Sequence, residues 1–331
     1  MTKQKLSALG AVTCIASAIV ATAPAAHAQT DAAAGYPKQP IKIVVGFTPG
    51  GSNDLLARLL AQKFGERLGQ PAIVENRPGA GAIIGTEFVA RAAPDGYTLL
   101  MAPAGTLTIN PAVYSKLPYD PLKSFEHIAN VATYPFLLSV NSNGSIKSVK
   151  DLIAFGKANP DKANYGSTST TFQLISELFN AKAGVKFEHI PFKSGGEIVT
   201  AILTGQVVMG FADSGPVLPQ IRGGKILALA TSGAKRFPEL PDLPTMKEAG
   251  VDGVAVDGFS GLVAPAGTPK AIVKKLEDEI NALLKLADVR DRLKQIGLIP
   301  AGGTGDEFRA MIARDIPLWT EVAKASNIKA D

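Results

Sequence analysis

One stretch limits the folds open to this chain more than any other: Ile41-Lys-Ile-Val-Val-Gly-Phe-Thr-Pro-Gly-Gly-Ser-Asn-Asp-Leu-Leu-Ala-Arg58. Ile41 to Phe47 is an apolar, β-branched run of the kind that forms a buried parallel strand. Pro49-Gly50-Gly51 breaks it, and Ser52, Asn53 and Asp54 carry helix-starting chemistry. Leu55, Leu56, Leu59, Leu60, Phe64 and Leu68 then recur at helical spacing until Gly69 stops the run. A strand that turns through two glycines into a helix leaves unpaired backbone N–H groups aimed at one point. Hydrogen bonds and the positive end of the helix dipole attract an anion there. From this stretch alone, a plain βα turn that binds nothing is an equal reading.

The first residues read as a leader rather than as part of the fold. Lys3 and Lys5 form a basic start, Leu6 to Ala23 is an apolar, small-residue run, and Ala26-His27-Ala28 is a small-x-small cleavage site. This is the pattern of a secretory signal peptide cut after Ala28, so the mature protein is expected in the periplasm. Cys14 has no lipobox leucine before it, which argues against a lipid anchor. Cleavage leaves 303 of the 331 residues, enough for two domains, and removes the lone cysteine. The mature chain then has no thiol for nucleophilic or metal chemistry and only His127 and His189 as histidines. Its formal charge falls from +5 to +3 as two lysines leave, too little to imply nucleic-acid binding. No further apolar run reaches the roughly 18 residues of a membrane span.

Two more strand–turn–helix units follow. Ala72 to Glu75 is a strand before the turn Asn76-Arg77-Pro78-Gly79-Ala80-Gly81, with a helix from about Ala82 to Ala92. Pro94-Asp95-Gly96 turns into the strand Tyr97 to Met101, and Ala102 to Asn110 is a third small-residue loop at a strand end. Three such units argue for an open parallel sheet, in which ligands gather outside the carboxyl ends of the strands. An extended run from His127 to Val140 then reads as a domain crossing. Beyond it come a helix started by Ser148, the hydroxyl-rich stretch Tyr165 to Thr171 before the helix Phe172–Ala183, and alternating strands and helices to Ala249. Val254 to Ala264 runs extended again as a return crossing, and the helices Pro269–Leu284 and Asp306–Ala325 follow. The fold expected is α/β, a two-domain binding protein with a largely parallel sheet flanked by helices in each domain. Residues 36–137 with 261–331 form the first domain and 138–260 the second, with two hinge crossings.

Catalytic and cofactor chemistry find little support. Gly79-Ala-Gly-Ala-Ile-Ile-Gly85 has the spacing G-x-G-x-x-x-G rather than that of a dinucleotide fingerprint and follows a second strand, so a close-packed turn is favoured. Gly223-Gly224-Lys225 lacks the first glycine and the Ser/Thr of a P-loop. No G-x-S-x-G elbow occurs, and neither histidine has a triad-like context. No cofactor and no metal are expected. Asp54 has two readings: a carboxylate placed in a first helical turn by the dipole, or a contact for a ligand ammonium group. Ser167, Thr168, Ser169, Thr170 and Thr171 offer hydroxyls and amides at a second helix start. Ala104 and Thr106 in the third loop, Lys193 at a strand end and Asp213 beyond the strand Val207–Phe211 complete the candidates.

Four ordered motifs resemble one family. Phe47 to Arg58 looks like its F-x-P-G-G-x-x-D-x-x-A-R, and Val74 to Gly85 like its V-E-N-R-P-G-A-G-G-x-x-G. Pro94 to Leu99 resembles P-D-G-Y-T-L, and Leu262 to Pro269 resembles L-x-A-P-A-G-T-P. The family is the Bug proteins, extracytoplasmic solute receptors of tripartite tricarboxylate transporters. The resemblance implies a Venus-flytrap-like receptor, not an enzyme, that captures small organic acids for a membrane permease. It implies that Phe47 and Gly50, Gly51, Ser52, Asn53 and Asp54 hold a ligand carboxylate, largely through backbone amides and bridging water. Gly81 and Ala82 have a weaker claim. Ala82 stands where glycine is frequent, and Phe259 where many relatives carry Trp or Tyr. With few cations near these loops, Arg77 and Lys193 at most, the expected ligand is a small mono- or dicarboxylate, aliphatic or aromatic, bound by a monomer. A sensor for a membrane signalling partner and an exported α/β hydrolase are the alternatives.

Overall fold

The computed structural model describes residues 33–193 and 195–330; the expected leader and its cleavage site lie outside the described residues. The first strand, β1 (Ile41–Val45), is buried at every position but Lys42, as a strand covered on both faces must be. The turn after it enters α1 (Ser52–Leu68), which buries Leu56, Ala57, Leu60, Ala61 and Phe64 and stops at Gly69 with φ 73°. β2 (Ala72–Asn76) pairs in parallel with β1. A single tight turn, Ala80–Ala82, leads from there into α2 (Ile83–Ala90). β3 (Thr98–Pro103) pairs with the other side of β1, and a widened helical turn, Gly105–Ile109, continues into the short α3 (Asn110–Val113).

The chain then runs 17 residues without a break as β4 (Phe125–Asn141). Beyond it lie α4 (Val149–Ala158), β5 (Asn164–Ser167), α5 (Thr170–Ala183), β6 (Glu188–Pro191), α6 (Gly195–Thr204), β7 (Met209–Asp213), α7 (Ser214–Arg222) and β8 (Ile226–Thr231). The return passes through β9 (Asp257–Pro265), α8 (Lys270–Leu283), α9 (Ala287–Gln295) and β10 (Ile299–Gly302) to α10 (Gly305–Ala325). Two of these helices start with caps the sequence dictates. Ser148 Oγ accepts from the Asp151 N–H at 3.1 Å, and Thr304 and Glu307 form a reciprocal capping box.

The strands lie in the order β2-β1-β3-β9-β4-β7-β5-β6, with β10 and β8 also pairing with β4. Parallel pairing is confined to β2-β1-β3 at one end and β7-β5-β6 at the other. β9 and β4 run antiparallel to their neighbours, so the sheet in each half is mixed rather than largely parallel. The physical reason is the double crossing: a chain that leaves one half and returns must lay its outgoing and returning strands side by side in opposite directions. β4 pairs with β9 as far as Pro135 and with β7 and β8 from Phe136 onward. The return is fixed by the Val256 N–H, which donates to the Ser232 carbonyl at 2.9 Å. No helix among the described residues is long and apolar enough to cross a membrane.

Candidate ligand-binding site

The turn between β1 and α1 is held from within. Asp54, 2 % exposed, accepts from the Gly50 N–H at 3.0 Å, from Arg58 Nε at 2.9 Å and from Asn76 Nδ2 at 2.9 Å. Asn76 Nδ2 also donates to the Phe47 carbonyl at 3.0 Å, so one amide at the end of β2 clamps both sides of the turn. Burial alone would raise the Asp54 pKa; the hydrogen bonds from Arg58, Gly50 and Asn76 outweigh it and hold the carboxyl below its ordinary range. Asp54 thus spends its oxygens on its own loop and turns none of these bonds toward a ligand. Gly50 is committed likewise, with φ 94° and its N–H on Asp54. Gly51 differs from Gly50: its backbone is extended at φ −78°, and a Cβ there would meet open space. The N–H groups of Ser52, Asn53 and Asp54 open α1 and have no carbonyl of their own helix to bond. The Asn53 side chain is tied back by the Ser260 hydroxyl, which donates to its Oδ1.

The second and third loops close around the first. A Cβ on Gly46 would lie 2.5 Å from the Cβ of Ala82, and one on Gly85 would lie 3.0 Å from the Gly46 Cα. The glycines around residues 79–85 therefore serve close packing. Ala82 is 2 % exposed with φ 70°, so its side chain fills this contact and does not face solvent. The Gly81 carbonyl accepts from Asn110 Nδ2 at 3.0 Å. Ala104 and Thr106 are buried, and the Thr106 hydroxyl donates to the Pro103 carbonyl at 2.9 Å. Arg77 stacks on Phe88, with its guanidinium carbon 3.6 Å from the ring centroid, and pairs with Glu75. It is not a spare cation.

The other half brings its own strand ends to the same place. A Cβ on Gly105 would sit 3.6 Å from Thr171 Oγ1, and one on Gly215 would sit 3.6 Å from Ser52 Oγ. The starts of α5 and α7 thus face the loops after β3 and β1. Thr168 and Ser169 lie in the turn before α5, and Ser169, Thr170 and Thr171 bring its first N–H groups toward the cleft. Ser167 departs from expectation: it is 3 % exposed, and its Oγ lies 2.7 Å from His189 Nε2. Lys193 is exposed, and its N–H donates to Glu197 Oε2 at 3.1 Å. Asp213 ends β7 with no side-chain cap bond to α7 among the described residues, and burial pushes its pKa up to about 7.

Three residues that sequence reasoning missed belong to this region. Tyr134 and Ser260 have no motif to mark them. Asn76 lies inside the V-E-N-R-P run but carries its meaning only through the clamp. Tyr134 is buried, interacts with Ser260, and has its hydroxyl pKa raised by burial and by the neighbouring charge of Asp213. No group of metal-ligating side chains occurs among the described residues.

Comparison with known proteins assigns this architecture. The family model described as "Tripartite tricarboxylate transporter family receptor" matches residues 56–328. The chain is 34 % identical to protein BugT of Bordetella pertussis, over 89 % of this chain and 91 % of that one. A solved Rhodopseudomonas palustris protein with adipate superposes with a TM-score of 0.81 at 33 % identity, covering 89 % of this chain and 99 % of that one. MatC from the same organism, solved with bound malate, gives 0.76 at 31 % identity, covering 87 % and 99 %. The chain belongs to the receptor family of the tripartite tricarboxylate transporters, alongside the Bug proteins.

Proposed function

We propose that this protein is exported to the periplasm, cut after Ala28, and there binds a small carboxylate as a monomer for delivery to a tripartite transporter permease. The observation that carries the reading is the meeting of two helix starts from opposite halves. Ser52 at the head of α1 lies against Gly215 at the head of α7, and Thr171 at the head of α5 lies against Gly105. Several N–H groups with their dipoles aimed at one point suit a carboxylate that no fixed cation neutralises. Residues 36–137 with 261–331 and residues 138–260 are the two bodies that close on it. Because the bound anion touches both, it favours the closed arrangement. Of the expected contacts, the amides of Gly51, Ser52 and Asn53 and the groups of Thr168, Ser169, Thr170 and Thr171 are the ones left to serve. The adipate and malate of the two solved relatives support the ligand class.

A thermal-shift panel of carboxylates, amino acids and sugars tests this. A true ligand at about 100 times its Kd adds roughly 2.7 kcal/mol of stability. Sugars raising the melting temperature while no carboxylate does would overturn the reading. Gly51→Val sharpens the test, because the extended backbone and open space at that position accept a valine. Carboxylate affinity should fall at least about tenfold while the free protein melts where it did before.

A further inference from the structure

Beneath α6 and α7, against the sheet of the second half, lies a cavity of about 570 Å³ that the carboxylate anchor does not use. Small residues form its floor. Gly210 and Ala212 occupy alternate positions of β7, so both project to the face covered by α6 and α7. Ser139 stands opposite Gly210 on β4. The helices supply Ile198, Val199 and Ile202 from above and Val217 from the side, so most of the lining is hydrocarbon. The volume is several times the roughly 150 Å³ that accommodates a benzene ring, and it lies within the range of small-molecule pockets.

The cavity is placed to continue the cleft. Thr168 and Asp213 line its end nearest the strand termini, and Asp213 is two residues before Gly215, where an added Cβ would lie 3.6 Å from Ser52 Oγ at the head of α1. From Asp213 the floor runs along β7 to Gly210, three residues or about 10 Å deeper. A ligand anchored by its carboxylate at α1 therefore has a lined path for the rest of its body. Beyond that threshold the described lining residues include no Lys or Arg, so a second carboxylate drawn into the hydrocarbon would lose its hydration without gaining a counter-charge.

We propose that this cavity is a tail site, and that the preferred ligand is a monocarboxylate with an apolar acyl or aryl body rather than a short dicarboxylate. This rests on the reading of the α1 loop as the carboxylate anchor, and it adds the part of the ligand that reading leaves open. Calorimetric titration of the whole mature protein with acetate, butyrate, hexanoate, phenylacetate and adipate tests it. Burial of each methylene in a dry site corresponds to about fourfold in affinity, so hexanoate should bind far tighter than butyrate. Hexanoate should also bind tighter than adipate, which has the same carbon count and a second carboxylate. Val199→Trp, which fills the cavity from α6, should abolish the gain with chain length. An affinity that stays flat from acetate to hexanoate, or adipate binding tighter than hexanoate, overturns the tail site while leaving the anchor reading intact. The failure of every carboxylate to bind would instead overturn the anchor reading, and the tail site with it. Should the tryptophan variant not fold, the chain-length series on the unaltered protein decides alone.

Discussion

Asp54 and Asp213 occupy matching places in the two halves, each where a strand hands over to a helix beside the cleft, yet their surroundings treat them oppositely. Asp54 has two side-chain partners and a backbone N–H, and these bonds keep it ionised. Asp213 stops at the end of β7 with no such bond among the described residues, and burial pushes its pKa up to about 7. A carboxylate at a helix start is thus not one device. With partners it becomes a structural strut for the loop. Without them burial governs it, and its charge changes near neutral pH.

The comparison can be broken most forcefully at Asp54. Asp54→Ala strands the Gly50 N–H and the Asn76 amide in a closed turn and should lower stability by about 2–3 kcal/mol. The pH dependence has a definite sign. Asp54 is ionised in the folded chain below its unfolded pKa of about 4, so its contribution is present above pH 4 and lost as the pH falls through its lower folded value. Chemical denaturation at pH 7 and pH 3 should therefore show the variant and the parent converging in acid. Equal stability at pH 7 would mean that the clamp holds nothing.

A smaller effect is expected at Gly50, the glycine that makes the Asp54 clamp possible. Its φ of 94° is strained for any side chain, and Gly50→Ala should lose about 1–2 kcal/mol although no atom crowds the new methyl group. Gly51→Ala, at φ −78°, should lose far less. If the two variants unfold at the same denaturant concentration, the conformational difference between the glycines has no energetic weight.

An effect of opposite sign belongs to Asp213. Its proton is held in the folded chain up to about pH 7 but in the unfolded chain only to about pH 4. The associated stability is complete below about pH 4 and lost as the pH rises through 7. Asp213→Asn removes the charge without changing the shape. It should melt higher than the parent at pH 8, and the gap should close by pH 4. A variant that melts lower at pH 8 would show that the carboxylate has a partner after all.

Much of this was open to reading in the chain itself, and the limits have physical causes. The β1–α1 turn announces itself because strand, breaker and helix chemistry are all local. The mixed sheet does not: the direction in which β9 and β4 run is settled by which half the chain returns to, and no residue within either strand encodes that. At the site, the split between Gly50 and Gly51 was hidden because the two glycines look alike until a bond from Asp54 assigns the positive φ to one of them. Ser167 and Thr106 are polar residues at strand ends, where a ligand contact is a fair inference. Their hydroxyls were taken instead by His189 and the Pro103 carbonyl, partners 22 and 3 residues away. The cavity under α6 was illegible for a different reason, since its lining comes from two strands and two helices that no local pattern brings together.

β4 carries a mechanical consequence. At Pro135 its partners change from one half to the other, and a proline offers no N–H, so one rung of the ladder is missing where the change occurs. On either side the strand is stiffened by neighbours on both edges. Flexure in such a blade concentrates at its notch, and the rest of the strand transmits rotation without bending. Under the proposed closure, the rest angle of the receptor is thus written into a continuous piece of backbone, which acts as a torsion spring and not as a slack joint. The opening that a permease would meet is then the same from one molecule to the next.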